Sequence, residues 1–158
     1  MDLGIHLADL ILWLTGFPKV KGVNAQMFGG GRPLGTKTDE VEDYAVATFD
    51  LAGGAAVRLA CSWRLNAGQD AVIEASPYGT RGGASLRNVG GSFYDLELVH
   101  LTGIACERLV APPDDWGGRA AAAWARRIAE NARFDPEARR ILDASALIDR
   151  IYAAAGAG

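Results

Sequence analysis

An aspartate and a histidine four residues apart stand at the start of this sequence, Asp2 and His6 in the run Asp2-Leu3-Gly4-Ile5-His6-Leu7-Ala8-Asp9. Leu3, Leu7, Leu10, Ile11 and Leu14 recur at helical spacing, and Gly16 and Pro18 end the pattern. That spacing predicts a helix from Asp2 to Leu14 that buries the leucine stripe. On a helix, positions i and i+4 project from one face one turn apart, so a carboxylate is held beside an imidazole. Histidine is the side chain most readily tuned to exchange a proton near neutral pH, and a neighbouring carboxylate can orient it or raise its basicity. The pair can therefore serve as an acid/base couple. The same spacing also arises by chance, and a histidine on a mainly apolar helix is more often a hydrogen-bonded core or boundary residue.

The elements that must position this helix alternate between strand and turn. Val20 to Phe28 reads as a strand. Gly29-Gly30-Gly31-Arg32-Pro33-Leu34-Gly35 reads as a flexible loop, because neither helix nor strand tolerates that much glycine and proline. A dinucleotide site needs its glycines between a strand and a helix, in G-x-G-x-x-G order. Here they lead to a polar run and another strand, so a loop between strands is the stronger reading; Arg32 or Lys37 could still meet a hydroxyl or carboxylate. Tyr44 to Phe49, the reversal Asp50-Leu51-Ala52-Gly53-Gly54, and Ala56 to Trp63 form an antiparallel hairpin. Ala71 to Ala75, Ala84 to Arg87 and Phe93 to Leu101 extend the sheet. The expected fold is α+β, an open, mainly antiparallel sheet with helices packed on one face. Both strand faces have mixed apolar character, so the second face needs a cover. A second copy of the chain, in a homodimer or larger assembly, would supply it.

Helical rhythm returns in Ala120 to Ala132, and again after Asp135-Pro136, an N-cap followed by proline in the first turn. Both helices read as scaffold. With 158 residues, 49% hydrophobic and 22% charged, the chain fits one foldable domain. A net charge of −3 gives no basic field for nucleic acid, and no apolar run approaches the length that spans a bilayer. The start lacks the basic residues of a secretory signal, so the expected location is the cytoplasm. Cys61 and Cys106 have no metal or disulfide spacing and read as buried, reduced thiols, and no metal site is expected.

The segment Asp2-x-Gly4-x-His6-x-x-Asp9-x-x-x-Trp13-Leu14-x-Gly16 resembles the D-x-G-x-H-x-x-D helix of the glucose-fructose oxidoreductase and inositol dehydrogenase family, Gfo/Idh/MocA. The resemblance continues in the same order through Val41 to Phe49, Ala60-Cys61-Ser62-Trp63, the turn Tyr78-Gly79-Thr80-Arg81-Gly82-Gly83, and Asp143 to Tyr152. It implies a two-domain parent that holds NAD or NADP in an N-terminal Rossmann domain. It also implies hydride transfer between that cofactor and an alcohol or carbonyl carbon of a sugar, polyol or related small molecule. On this basis His6 is the expected general base, and Asp2 its partner and a hydroxyl acceptor. Trp63 and Arg64 are expected to contribute an apolar wall and a hydroxyl contact. Trp63 reads equally well as a strand-end aromatic, and Arg64 as a surface cation.

Residues 1–158 then read as a partial C-terminal substrate-binding and oligomerisation domain, with the nucleotide domain absent and no cofactor expected for this chain alone. The resemblance implies use of the domain in dimers or tetramers. The alternative is a stand-alone binding or assembly module without redox chemistry. An in-frame G-x-G-x-x-G and E-K-P segment upstream of Met1 would discriminate between the two.

Overall fold

In the computed structural model, which describes residues 1–35, 39–130 and 133–156, the first helix, α1, spans Asp2–Leu14. Its buried line is Gly4, Ala8 and Leu12 rather than the leucine stripe, and Leu3 and Leu14 are about half exposed. The small residues decide this rotation. A Cβ on Gly4 would lie 3.1 Å from Cys61 Sγ, tighter than ordinary van der Waals contact, so glycine favours this close approach of the helix to the neighbouring strand. Leu7 and Ile11 pack at the margin of the core. At 100° per residue, Asp2, His6, Asp9 and Trp13 fall on the opposite face.

The chain divides into two compact units, Met1–Leu65 with Asp135–Gly158, and Asn66–Phe134. The first contains strands β1 (Val20–Gly29), β2 (Arg32–Pro33), β3 (Tyr44–Leu51) and β4 (Ala56–Ser62), in sheet order β2-β1-β3-β4. Register places Met27 opposite Ala45 and Ala45 opposite Cys61, then Ala25 opposite Ala47 and Ala47 opposite Leu59. One face is thus a continuous apolar surface. It carries α1 and the last helix, α3 (Arg140–Ala155), whose Ala144, Leu147 and Ile151 are buried at i, i+3 and i+7. Asp135 caps the 3-10 turn Pro136–Arg139 that leads into α3, accepting the Glu137 N–H at 3.0 Å. The other sheet face carries exposed Asn24, Gln26, Thr48 and Arg58 around half-buried Phe28, Tyr44 and Val46.

The glycine run is not a flexible loop. Gly30 and Gly31 have φ of 57° and 77°, the pair of left-handed residues that a tight two-residue hairpin needs, and they join β1 to β2 with Phe28 opposite Pro33. The Asp43 carboxylate accepts the Gly30 N–H at 2.8 Å and holds the turn. Lys37 lies outside the described residues.

The second unit forms its own antiparallel sheet in the order β5 (Glu74–Ala75), β6 (Gly83–Asn88), β7 (Leu96–Thr102), β8 (Ala105–Val110). The α+β, antiparallel character is as expected, with the strands shared between two four-stranded sheets. β8 escapes the sequence pattern because it is an edge strand, exposed from Ala105 to Leu109; for the same reason Cys106 is exposed, while Cys61 is half-buried and both are free thiols. Helix α2 (Arg119–Ala129) has no buried residue, and Trp124 and Ile128 stand exposed on it.

Burial in the first unit makes its packing directly testable. Leu147 is 2% exposed, so Leu147→Ala is expected to destabilise the fold by about 2–5 kcal/mol. Leu142, exposed on the same helix, should tolerate alanine within about 0.5 kcal/mol. Urea denaturation of both variants checks this; equal midpoints would show that α3 is not packed as described.

Candidate functional site

The start of α1, the segment leading into β3 and the end of β4 enclose a cavity of about 110 Å³. Asp2 and Trp63 both line it, together with Glu42, Tyr44 and Cys61. Two of the four residues singled out in the sequence are thus brought to one place. His6 sits one turn along the exposed face of α1, and neither it nor Arg64 is among the lining residues. No hydrogen bond or ion pair joins Asp2 to His6 among the described residues, so their relation here is a shared helix face.

Backbone contacts hold the cavity's walls. The Trp63 indole N–H donates to the Glu42 carbonyl at 3.1 Å, which fixes the ring against the chain entering β3. Ser62 Oγ donates to the Asp43 carbonyl at 2.7 Å and accepts the Arg64 N–H at 3.1 Å, so the residues flanking Trp63 are tied as well. Asp43 itself is engaged by the Gly30 turn.

Two residues that the sequence reading passed over complete the site. The Tyr152 hydroxyl, from the last turns of α3, donates to Glu42 Oε1 at 2.9 Å, and the Met1 amino group also contacts that oxygen. Burial alone would raise the Glu42 pKa. Hydrogen bonds from the Met1 amino group, its own backbone N–H and Tyr152 outweigh this and hold it below the usual carboxylate value. Burial, followed by the hydrogen bond to Glu42 and its negative charge, pushes Tyr152 up to about 12. Burial likewise raises the Cys61 thiol, which keeps it protonated and unreactive at neutral pH. No motif could have revealed the Glu42–Tyr152 pair, since its members are 110 residues apart.

A larger hollow of about 690 Å³ lies along β1 and β3, bounded by Leu34 and Ala155. Its lining includes Asn24, Gln26 and Thr48 but no titratable side chain, so acid/base chemistry has no group to work with there. Nor do the described residues suit a dinucleotide. The glycines of the β1–β2 turn connect two strands, whereas a pyrophosphate is received by backbone N–H groups at a helix N-terminus after a strand. Among the described residues, no cluster of three or more His, Cys, Asp or Glu could hold a metal ion. No helix among them is long and apolar enough to cross a membrane.

The family described as the GFO/IDH/MocA C-terminal domain matches residues 1–85. The chain is 32% identical over 98 residues to the D-glucoside 3-dehydrogenase of Escherichia coli (strain K12), a match covering 54% of this chain and 27% of that protein. In fold it is similar to the UDP-N-acetylglucosamine 3-dehydrogenase of Acidithiobacillus ferrooxidans, with a TM-score of 0.77 at 21% identity, over 99% of this chain and 47% of that one. It is also similar to the aldose-aldose oxidoreductase of Caulobacter crescentus, with a TM-score of 0.70 at 19% identity, over 96% of this chain and 43% of that one. The match spans less than half the length of each of these three proteins.

The Tyr152 hydroxyl gives a stability signature in alkali. Its folded pKa of about 12 lies above the ordinary 10.0, so its contribution is fully present below pH 10 and is lost as pH rises toward 12. Tyr152→Phe should therefore melt below the wild type at pH 8, with the gap closing between pH 10 and 12. A gap independent of pH, measured by thermal melts, would mean that the hydroxyl does not hold Glu42.

Proposed function

This chain belongs to the GFO/IDH/MocA C-terminal-domain family, and from that premise we propose that it is the substrate-binding and oligomerisation part of a cytoplasmic, NAD(P)-dependent oxidoreductase acting on a sugar, polyol or related alcohol or carbonyl compound. The observation that carries the reading is that Asp2 and Trp63 line one cavity. That pairing suits a carbohydrate. A carboxylate accepts charge-assisted hydrogen bonds from ring hydroxyls, and an indole packs against the apolar C–H face of a sugar. His6, one turn from Asp2 on the same exposed face and outside the cavity lining, would take the hydroxyl proton as a general base. Arg64, beside Trp63, supplies a further hydroxyl contact. On this reading the dinucleotide is held by a separate domain, and the chain alone is catalytically inactive.

Binding tests this without the cofactor. The chain should give saturation-transfer NMR signals with methyl β-D-glucopyranoside, and Asp2→Asn or Trp63→Ala should remove most of that affinity. His6→Ala should bind nearly as well. In a longer protein that joins this chain to a nucleotide domain, the same variant should lose about two to four orders of magnitude in turnover. Near-normal turnover would leave α1 as scaffold.

Assembly is the second part of the proposal. The half-buried Phe28, Tyr44 and Val46 on the uncovered sheet face support a homodimer or tetramer formed through that face. Light scattering at micromolar concentration should give at least twice the monomer mass, and Val46→Lys should lower it. A monomer in the unaltered chain would refute this use of the sheet.

A further inference from the structure

Glu42 stands in an unusual relation to the cavity, because its two ends do different things. Its main-chain carbonyl accepts the Trp63 indole N–H at 3.1 Å, and its side chain lines the same cavity as Asp2 and Trp63. That side chain is only 11% exposed. A carboxylate so nearly removed from water needs donors to remain charged, and the chain provides one from far along the sequence, the Tyr152 hydroxyl at 2.9 Å. The neighbouring Asp43 holds the Gly30 turn through its carboxylate, whereas Glu42 and Asp2 line the cavity without such a tie to a turn.

The count of lone pairs gives this arrangement a direction. A carboxylate offers about four acceptor positions. The Tyr152 hydroxyl takes one of them on Oε1, the oxygen that the Met1 amino group also contacts, and Oε2 is the oxygen that neither of them touches. A charged acceptor with a vacant position, lining a cavity and held still by a second side chain, suits a neutral ligand rich in hydroxyl donors.

We infer that Glu42 is a further ligand-binding carboxylate of this cavity, accepting one hydroxyl of a polyhydroxylated ligand while Asp2 accepts another, and that Tyr152 is the residue that positions it. The inference rests on the sugar-binding reading above and adds a specificity determinant to it. Tyr152 acts through Glu42 and Trp63 acts beside it, so a single residue couples the polar and the aromatic sides of the cavity.

The test uses the chain itself, with methyl β-D-glucopyranoside and its monodeoxy analogues as probes and ligand-observed NMR to read dissociation constants. Glu42→Gln keeps the shape and can still accept from Tyr152, so the fold should survive. Affinity for the parent glucoside should fall about tenfold or more, as expected for the loss of a hydrogen bond to a charged group. Tyr152→Phe should weaken it by a smaller factor. The decisive readout is discrimination: one deoxy analogue should bind the unaltered chain much more weakly than the parent glucoside, and Glu42→Gln should erase that difference. Loss of packing alone would instead weaken every glucoside by the same factor, which would overturn the assignment, as would wild-type affinity in Glu42→Gln. If Asp2→Asn and Trp63→Ala abolish binding while Glu42→Gln does not, Glu42 alone is excluded. If the unaltered chain binds no glucoside, the sugar-binding reading falls and this inference with it.

Discussion

The approach of α1 to β4 is the constraint on which the candidate site depends. Glycine at position 4 favours it, since a Cβ there would meet Cys61 Sγ at 3.1 Å. With Gly4 and Ala8 against the strand, Leu12 becomes one of the most deeply buried side chains. The rotation of the helix follows, about one residue or 100° away from the one its leucines would choose. Asp2 and His6 are carried with it onto the face opposite the core, and Asp2 comes to the edge of a cavity that also opens on Trp63.

The other end of the first unit holds the same region from behind. α3 does more than fill the core with Ala144, Leu147 and Ile151. Its Arg140 guanidinium lies 5.1 Å from the centre of the Phe17 ring, and Arg150 donates at 2.8 Å to the Val20 carbonyl where β1 begins. Tyr152 then reaches Glu42. Three side chains on one helix thus fasten the chain just after α1, the start of β1 and the approach to β3. Since the first unit is built from two stretches of chain separated by the whole of the second, these ties also hold its later stretch onto its earlier one.

Which of these features could be read from the sequence follows from how local their causes are. α1, β1, β3, β4 and α3 were legible because each carries its own period of apolar residues, and the β3–β4 reversal carries its own glycines. The rotation of α1 was not, because the leucines advertise a wider stripe and the small residues that win do so only through contact with β4. The Gly29 to Gly35 run misled for a related reason. Composition points to flexibility, whereas two successive left-handed glycines at Gly30 and Gly31, pinned by Asp43, make a tight hairpin. Of the four residues singled out, Asp2 and Trp63 line the cavity and His6 and Arg64 do not; the resemblance selected them, since the four-residue spacing and the strand-end aromatic are each as readily structural. Glu42 and Tyr152 were not singled out, since neither has a local pattern and only the fold brings them together.

The two units differ in what keeps them ordered, and the candidate site belongs to the first. That unit has a continuous apolar core between sheet and helices, rigid enough to hold a cavity wall in place. Among the described residues of the second unit the one buried hydrophobic residue is Ala71, and polar contacts tie its strands together. Asn88 donates to the Ala71 and Ser92 carbonyls at 2.8 and 3.0 Å and accepts the Ile73 N–H at 2.9 Å, tying the segment before β5 to the end of β6 and the turn after it. Glu97, 6% exposed, takes Arg87 on one oxygen and Arg108 on the other, each at 2.8 Å, and so links β6, β7 and β8 through one carboxylate. The hydrogen bonds from Arg87 hold the Glu97 pKa below its usual value, so this link persists above the ordinary carboxylate range and weakens only as acid protonates the folded form. Such a network specifies strand register, because each partner has one position that satisfies it.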